Sequence, residues 1–263
     1  MLESGRSKGP PVMIRAEHVH KSYQLGELSS LRLTLRSLTG RVGARHKNTF
    51  GALDDVSFEV TAGEVFGIVG RNGSGKSTLM HMICGITLPT SGFIVVRGRL
   101  LPLLAIGTSF HPELTGRENI VLFGTVLGLK REVIEARTDD IAEFAELEQH
   151  LDTPNKRYSD GMQARLSFAI AMLFPADIYV FDEVLAVVDG EFRDRCLTEI
   201  ERLRDRGKTV LFISHDLGQV ERLTDRVLWL ERGRVRAIGA SAAILAEYSK
   251  HEVHAGAADA AAA

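Results

Sequence analysis

The chain has 263 residues, enough for one large domain, or a domain with a subdomain, to bury a sizeable core. Hydrophobic residues make up 44% and charged residues 25%, with a net charge of −2; this excludes a disordered or fibrous chain and a globally basic nucleic-acid coat. Two cysteines, Cys84 and Cys196, cannot build a disulfide framework, so a reducing compartment is expected.

Residues 1–12 read as a flexible leader closed by Pro10-Pro11, and no apolar stretch follows the first charges, so no secretory signal is expected. Residues 12–19 are apolar and β-branched enough for a strand. The stretch 24–49 changes character. It carries Arg32, Arg36, Arg41, Arg45 and Lys47 against Glu27, and Leu28, Leu31, Leu35 and Leu38 fall on one helical face. A basic amphipathic helix of this kind suits a membrane surface or a partner protein, unless it packs on its own domain. Residues 55–60 alternate as a half-buried strand does. Residues 65–69 are continuously apolar between glycines, the pattern of a strand buried on both faces.

A glycine-rich loop and a helix from Lys76 to about Cys84 follow, then short strands at 93–96 and 103–106. From about 112 to 174 the pattern is helical, including one helix over 131–147 and another over 159–173. Strands at 178–181, 210–213 and 227–230 then alternate with helices at 191–206 and 217–223, which predicts a mainly parallel sheet with helices on its faces and the 112–174 region inserted into it. The alanine-rich tail, 251–263, is expected to be disordered. The longest apolar run, 100–107, is interrupted by Pro102 and is far short of the roughly 20 residues that cross a bilayer as a helix.

Gly70-Arg71-Asn72-Gly73-Ser74-Gly75-Lys76-Ser77, followed by Thr78, fits a phosphate-binding loop placed between a strand and a helix. Its glycines let successive N–H groups turn inward toward phosphate oxygens, and the helix start adds a positive dipole end. Lys76 supplies a point charge, and the Ser77 hydroxyl is a candidate Mg²⁺ ligand. Far downstream, the apolar strand 178–181 ends in Asp182-Glu183. At the end of a parallel strand beside such a loop, Asp182 is the second candidate for Mg²⁺, and Glu183 is the candidate to polarise an attacking water.

Further motifs carry a resemblance. Tyr158-Ser159-Asp160-Gly161-Met162, just ahead of an apolar helix, is similar to the signature of ATP-binding-cassette (ABC) ATPases. Ile213-Ser214-His215-Asp216 resembles that family's switch-histidine loop, and residues 186–189 its D-loop. The resemblance spans about residues 13–245, within a nucleotide-binding domain expected over 13–250. It implies an α/β P-loop fold of ABC type: a RecA-like mixed sheet, a small antiparallel β part and an inserted α-helical subdomain. It implies two copies stacked head to tail around two ATP molecules. Gly70, Asn72, Gly73, Ser74, Gly75, Lys76, Ser77 and Thr78 of one copy would hold the ATP phosphates. Ser159, Asp160, Gly161 and Met162 of the other would meet the same nucleotide. His215 would bond the γ-phosphate, and Tyr23, with Phe50 as the alternative, would stack on adenine. The signature departs from the family's usual wording at its first, third and fifth positions, Tyr158, Asp160 and Met162, and keeps Ser159 and Gly161. The loop that normally carries a Mg²⁺-directed glutamine reads 104–112 without one, leaving Thr108, Ser109, His111 or water as substitutes.

The insert at 24–49 and the wordings at 109–119, 158–162 and 182–186 resemble the ATPase subunits of polysaccharide exporters. That likeness implies a homodimer working with a separate transmembrane permease at the cytoplasmic face of the inner membrane. Lipid-linked glycan would be handled indirectly, and no nucleic acid is implied. The alternatives are a solute-importer ATPase and a soluble non-transport ABC ATPase.

Overall fold

Long apolar runs without polar breaks can be buried only between two layers, and the sheet of this protein is built from them. The computed structural model describes residues 10–24, 49–103, 110–126, 128–173, 175–183, 185 and 188–261. In chain order these form β1 (Val12–Gln24), β2 (Thr49–Thr61), β3 (Val65–Val69), α1 (Lys76–Ile83), β4 (Ser91–Val96) and β5 (Leu100–Leu103). The inserted helices are α2 (Gly116–Val126), α3 (Arg131–Glu135), α4 (Thr138–Ala145) and α5 (Asp160–Met172). The chain then continues through β6 (Ile178–Asp182), α6 (Gly190–Asp205), β7 (Thr209–Ile213), α7 (Leu217–Leu223), β8 (Arg226–Glu231), β9 (Arg234–Ala240) and α8 (Ser241–Ala261).

The large sheet has the order β5-β6-β7-β3-β8-β9. Its neighbours are parallel except β9, which runs antiparallel to β8. Both faces are buried, and strand alternation divides the core in two. Val65, Tyr179, Phe181, Val210, Phe212, Val227 and Trp229 face the helical side. Phe66, Ile68, Ile178, Val180, Leu211, Ile213 and Leu228 face α1 and a second sheet. That second sheet is antiparallel, in the order β2-β1-β4, and contributes Ile14, Val19, Val56, Phe58 and Val60 to the core. The predicted mixed sheet with a small antiparallel part and a helical insertion is the observed fold.

Several boundaries differ from the sequence reading. Of the strand expected at 103–106, residues 104–106 lie outside the described residues; β5 covers 100–103 and contains Pro102, and as an edge strand it tolerates a residue without an N–H. The helix expected over 131–147 is broken in two. Thr138 is buried, and its hydroxyl donates to the Ile134 carbonyl at 3.0 Å at the break. Strand β9 was not anticipated. The tail expected to be disordered continues α8 as far as Ala261, in keeping with the helix propensity of alanine. The basic insert (residues 25–48), most of the leader and the residues at 104–109 lie outside the described residues. Among the described residues, no helix is long and apolar enough to cross a membrane.

Candidate active site

The end of β3 delivers the glycine loop, and the ends of β6 and β7 deliver the acidic pair and His215. All three strands are parallel neighbours, so their carboxyl ends open on the same edge, where such sheets bind ligands. Gly70 has φ 153, and a Cβ there would lie 2.2 Å from the Leu230 carbonyl oxygen. Only glycine lets the backbone turn this close to β8. Gly75, with φ 107, precedes α1. The Lys76 ammonium donates to the carbonyls of Gly70 at 2.6 Å and Arg71 at 3.1 Å, so it lies curled over its own loop.

A cavity of about 430 Å³ opens here. It is lined by Phe50, Ala52, Asn72, Gly73, Gly75, Lys76, Ser77, Thr78, Asp182 and Glu183. The sequence-predicted phosphate loop and acidic pair therefore share one hollow. Burial pushes the Asp182 carboxyl above its usual value, and the neighbouring Glu183 adds to this; Lys76 and His81 pull it back. Burial lowers Lys76, against the opposing pull of Glu183 and Asp182. A half-buried carboxylate driven toward protonation gains from a divalent cation. Ser77 and Asp182 offer the hard oxygen donors that suit Mg²⁺, which keeps waters and substrate phosphates as its remaining ligands. The residues thus fit the ion.

Glu183 has a left-handed backbone, φ 51, uncommon for a residue with a side chain. Its N–H donates to the Ile213 carbonyl at 3.1 Å, which holds it against β7. Its Oε1 lies 3.6 Å from His215 Nδ1. Both residues also line a second cavity of about 100 Å³ with Arg193, Ser214 and Gln219.

Other predicted residues lie apart. Among the described residues, Ser159, Asp160, Gly161 and Met162 do not line the large cavity. Ser159 is the N-cap of α5, its hydroxyl accepting from Met162 N at 3.2 Å. Tyr23, read from the sequence as a loop residue, belongs to β1, where it pairs with Phe50 of β2. Of the two, Phe50 lines the cavity; the Tyr23 ring carries the Lys21 ammonium 5.0 Å from its centroid. The loop stretch 104–109 and residues 186–187 of the segment 186–189 lie outside the described residues.

Sequence reasoning missed three residues. Asn119 is fully buried, and its amide donates to the carbonyls of His111, Leu114 and Thr115 while its Oδ1 accepts from His111 N at 2.8 Å. It fixes the turn that enters the helical subdomain. Thr115 and Glu118 next to it form a reciprocal capping box at the start of α2, the one local signal that could have located this turn. Arg165 and Arg193 reach around the loop that follows Glu183, and nothing local announces either.

Residues 53–186 match the family model described as ABC transporter. The chain is 44% identical over 199 residues to the O-antigen export system ATP-binding protein RfbB of Klebsiella pneumoniae, covering 76% of this chain and 81% of that one. This chain belongs to the ABC transporter family. It is an ABC-type ATPase. The cassette is also 46% identical over 200 residues to the teichoic acids export ATP-binding protein TagH of Enterococcus faecalis, covering 76% of this chain and 44% of that longer one. Among solved structures, the ABC fold is shared with the dimeric cassette MJ0796 bound to ADP and Pi (TM-score 0.71, 22% identity, 87% of this chain and 99% of that one). It is shared equally with an ATP-binding subunit of an ABC transporter (TM-score 0.73, 23% identity, 90% and 93%).

Proposed function

We propose that this cassette powers export of a lipid-linked polysaccharide as a homodimer bound to a separate transmembrane permease, at the cytoplasmic face of the inner membrane. The observation that carries the reading is the 44% identity to an O-antigen export cassette along most of that protein's length. In the proposed dimer, ATP phosphates lie on the N–H groups of residues 70–78, with Lys76 leaving its loop carbonyls to meet them. Phe50, paired with Tyr23, is the better placed of the two to stack on adenine, since it lines the cavity. Ser77 and Asp182 hold Mg²⁺, which when bound neutralises charge developing on the phosphoryl oxygens.

Glu183 takes the proton of the attacking water, and His215, close beside it, bonds the γ-phosphate and orients that water. Ser159, Asp160, Gly161 and Met162 present the N-terminus of α5 to the γ-phosphate held by the other copy. Serving the other copy's nucleotide accounts for their distance from their own chain's cavity. ATP therefore joins the copies, and hydrolysis releases them. The permease, rather than this chain, meets the glycan.

The test is a chromosomal Lys76→Ala change. Surface polysaccharide should disappear while its lipid-linked precursor accumulates inside the cell, with the chain still present at normal abundance. Unchanged surface glycan would contradict the export reading.

A further inference from the structure

We propose that Tyr158 is the positioning residue of the α5 turn: its buried ring and hydroxyl clamp Ser159 and the start of α5 to the turn that opens α2, and so hold them in the pose that meets the other copy's nucleotide. The inference rests on the two-copy reading above. Tyr158 is the first residue of the signature and one of the three that depart from its usual wording. It is 6% exposed, whereas the next two residues, Ser159 and Asp160, are open to solvent. The exposed turn therefore stands directly on a buried anchor.

Three contacts fix that anchor. The Tyr158 hydroxyl donates to the His150 carbonyl at 2.8 Å. Burial, and then Asp152, push the phenol above its usual value, so it keeps its proton and remains a donor. The Tyr158 N–H donates to the Asn155 carbonyl at 2.9 Å, closing the short 3₁₀ turn Asn155–Arg157 that leads into the signature. The hydroxyl end of the ring lies against Gly116, where a Cβ would meet Oη at 2.2 Å and Cζ at 3.2 Å. The first residue of α2 is thus the seat of the ring, and any side chain there would displace the hydroxyl.

The two stretches of chain that meet at this contact are laced together. Gly116 N donates to Thr153 at 3.3 Å, Arg117 N to Leu151 at 2.9 Å, Asn155 N to Leu114 at 2.8 Å and Lys156 N to Pro112 at 2.9 Å. Asn119 fixes the same turn from within α2. The lacing reaches Lys156, and Tyr158 carries the hold forward to Ser159. A ring that merely filled the core would have no use for its hydroxyl. Here that hydroxyl decides how much of the time the turn is in the binding pose. Loss of one buried hydrogen bond shifts such a local equilibrium by a factor of about three to ten, and apparent affinity falls with the competent fraction.

The test uses mixtures of purified full-length chains. Lys76→Ala disables the loop of one chain and Ser159→Arg the turn of the other, so the complete site of the mixed dimer takes its turn from the Lys76→Ala chain. Tyr158→Phe keeps the ring and removes the hydroxyl, while the Thr153 N–H still bonds the His150 carbonyl at 2.8 Å. Carried by the Lys76→Ala chain, it should lower the ATPase rate of the mixture at low ATP by about three- to tenfold. Carried by the Ser159→Arg chain, whose turn serves no complete site, it should lower the rate by less than about 1.5-fold. A loosened fold would lower the rate equally from either chain; equal falls would overturn the proposal, and so would no fall from either. Gly116→Ala in the Lys76→Ala chain should lower the rate at least as much as Tyr158→Phe does. Adding Tyr158→Phe to it removes the atom that the new methyl strikes and should return the rate to that of Tyr158→Phe alone; additive losses would overturn the clamp. A mixture inactive with Tyr158 intact would overturn the two-copy reading and the proposal with it, a failure distinguished by appearing before Tyr158 is changed.

Discussion

Glu183 sits at the meeting of three constraints: a left-handed backbone, a hydrogen bond to β7 and His215 at its carboxylate. Glu183→Gln removes the proton acceptor and preserves the shape. Its turnover should fall about 10²- to 10⁴-fold with ATP affinity unchanged, measured by single-turnover hydrolysis and equilibrium binding; full activity would remove Glu183 as the base. Cys84, the C-cap of α1, permits a different measurement. Burial, and then Asp182, push its thiol from 9.0 up to about 12. Between those values the folded chain keeps a proton that the unfolded chain has lost. This group's contribution to stability therefore falls as pH rises through the window. Cys84→Ala should lose less stability than its parent between about pH 9 and pH 11 in chemical denaturation, and equal slopes would contradict the assignment. At this scale the sequence revealed groups whose chemistry is written in consecutive residues, such as Gly70–Ser77 and Asp182-Glu183. It did not reveal Phe50 as the cavity-lining ring, because that depends on the β1–β2 register. Nor did it reveal Arg165, whose partners come from α4 and the start of α6.

Elements were legible where one periodicity ran unbroken. The strand cores at β3, β6, β7 and β8 followed from continuous apolar runs, and α5, α6 and α7 from their spacing. Boundaries differed where tertiary context decided them: Pro102 is tolerated because β5 is an edge, and 131–147 is interrupted at 136–137, where the buried Thr138 hydroxyl donates to the Ile134 carbonyl. Asn119 organises the junction between the sheet and the helical subdomain. Asn119→Ala would leave the His111 N–H without its acceptor, whereas the carbonyls of His111, Leu114 and Thr115 keep backbone donors. One group left so costs about 1–3 kcal/mol. We expect a loss of about 1–3 kcal/mol, read from denaturant unfolding. A loss under about 0.5 kcal/mol, typical of a surface change, would show that the turn is held by other contacts.

For the whole molecule, one chain supplies a cavity with a phosphate loop, an oxygen pair suited to Mg²⁺ and a base, but its α5 turn lies elsewhere. The account therefore requires two copies, and its central claim is that each ATP lies between the phosphate loop of one and the α5 turn of the other. Mixing two inactive variants tests this most directly. Lys76→Ala disables the loop, and Ser159→Arg disables the turn. If the two act across the interface, a mixed dimer contains one site with both parts intact. With random pairing, ATPase activity should return to about one quarter of wild type. If the mixture stays as inactive as either variant alone, the loop and the turn do not serve one nucleotide from different copies, and the two-copy account is contradicted.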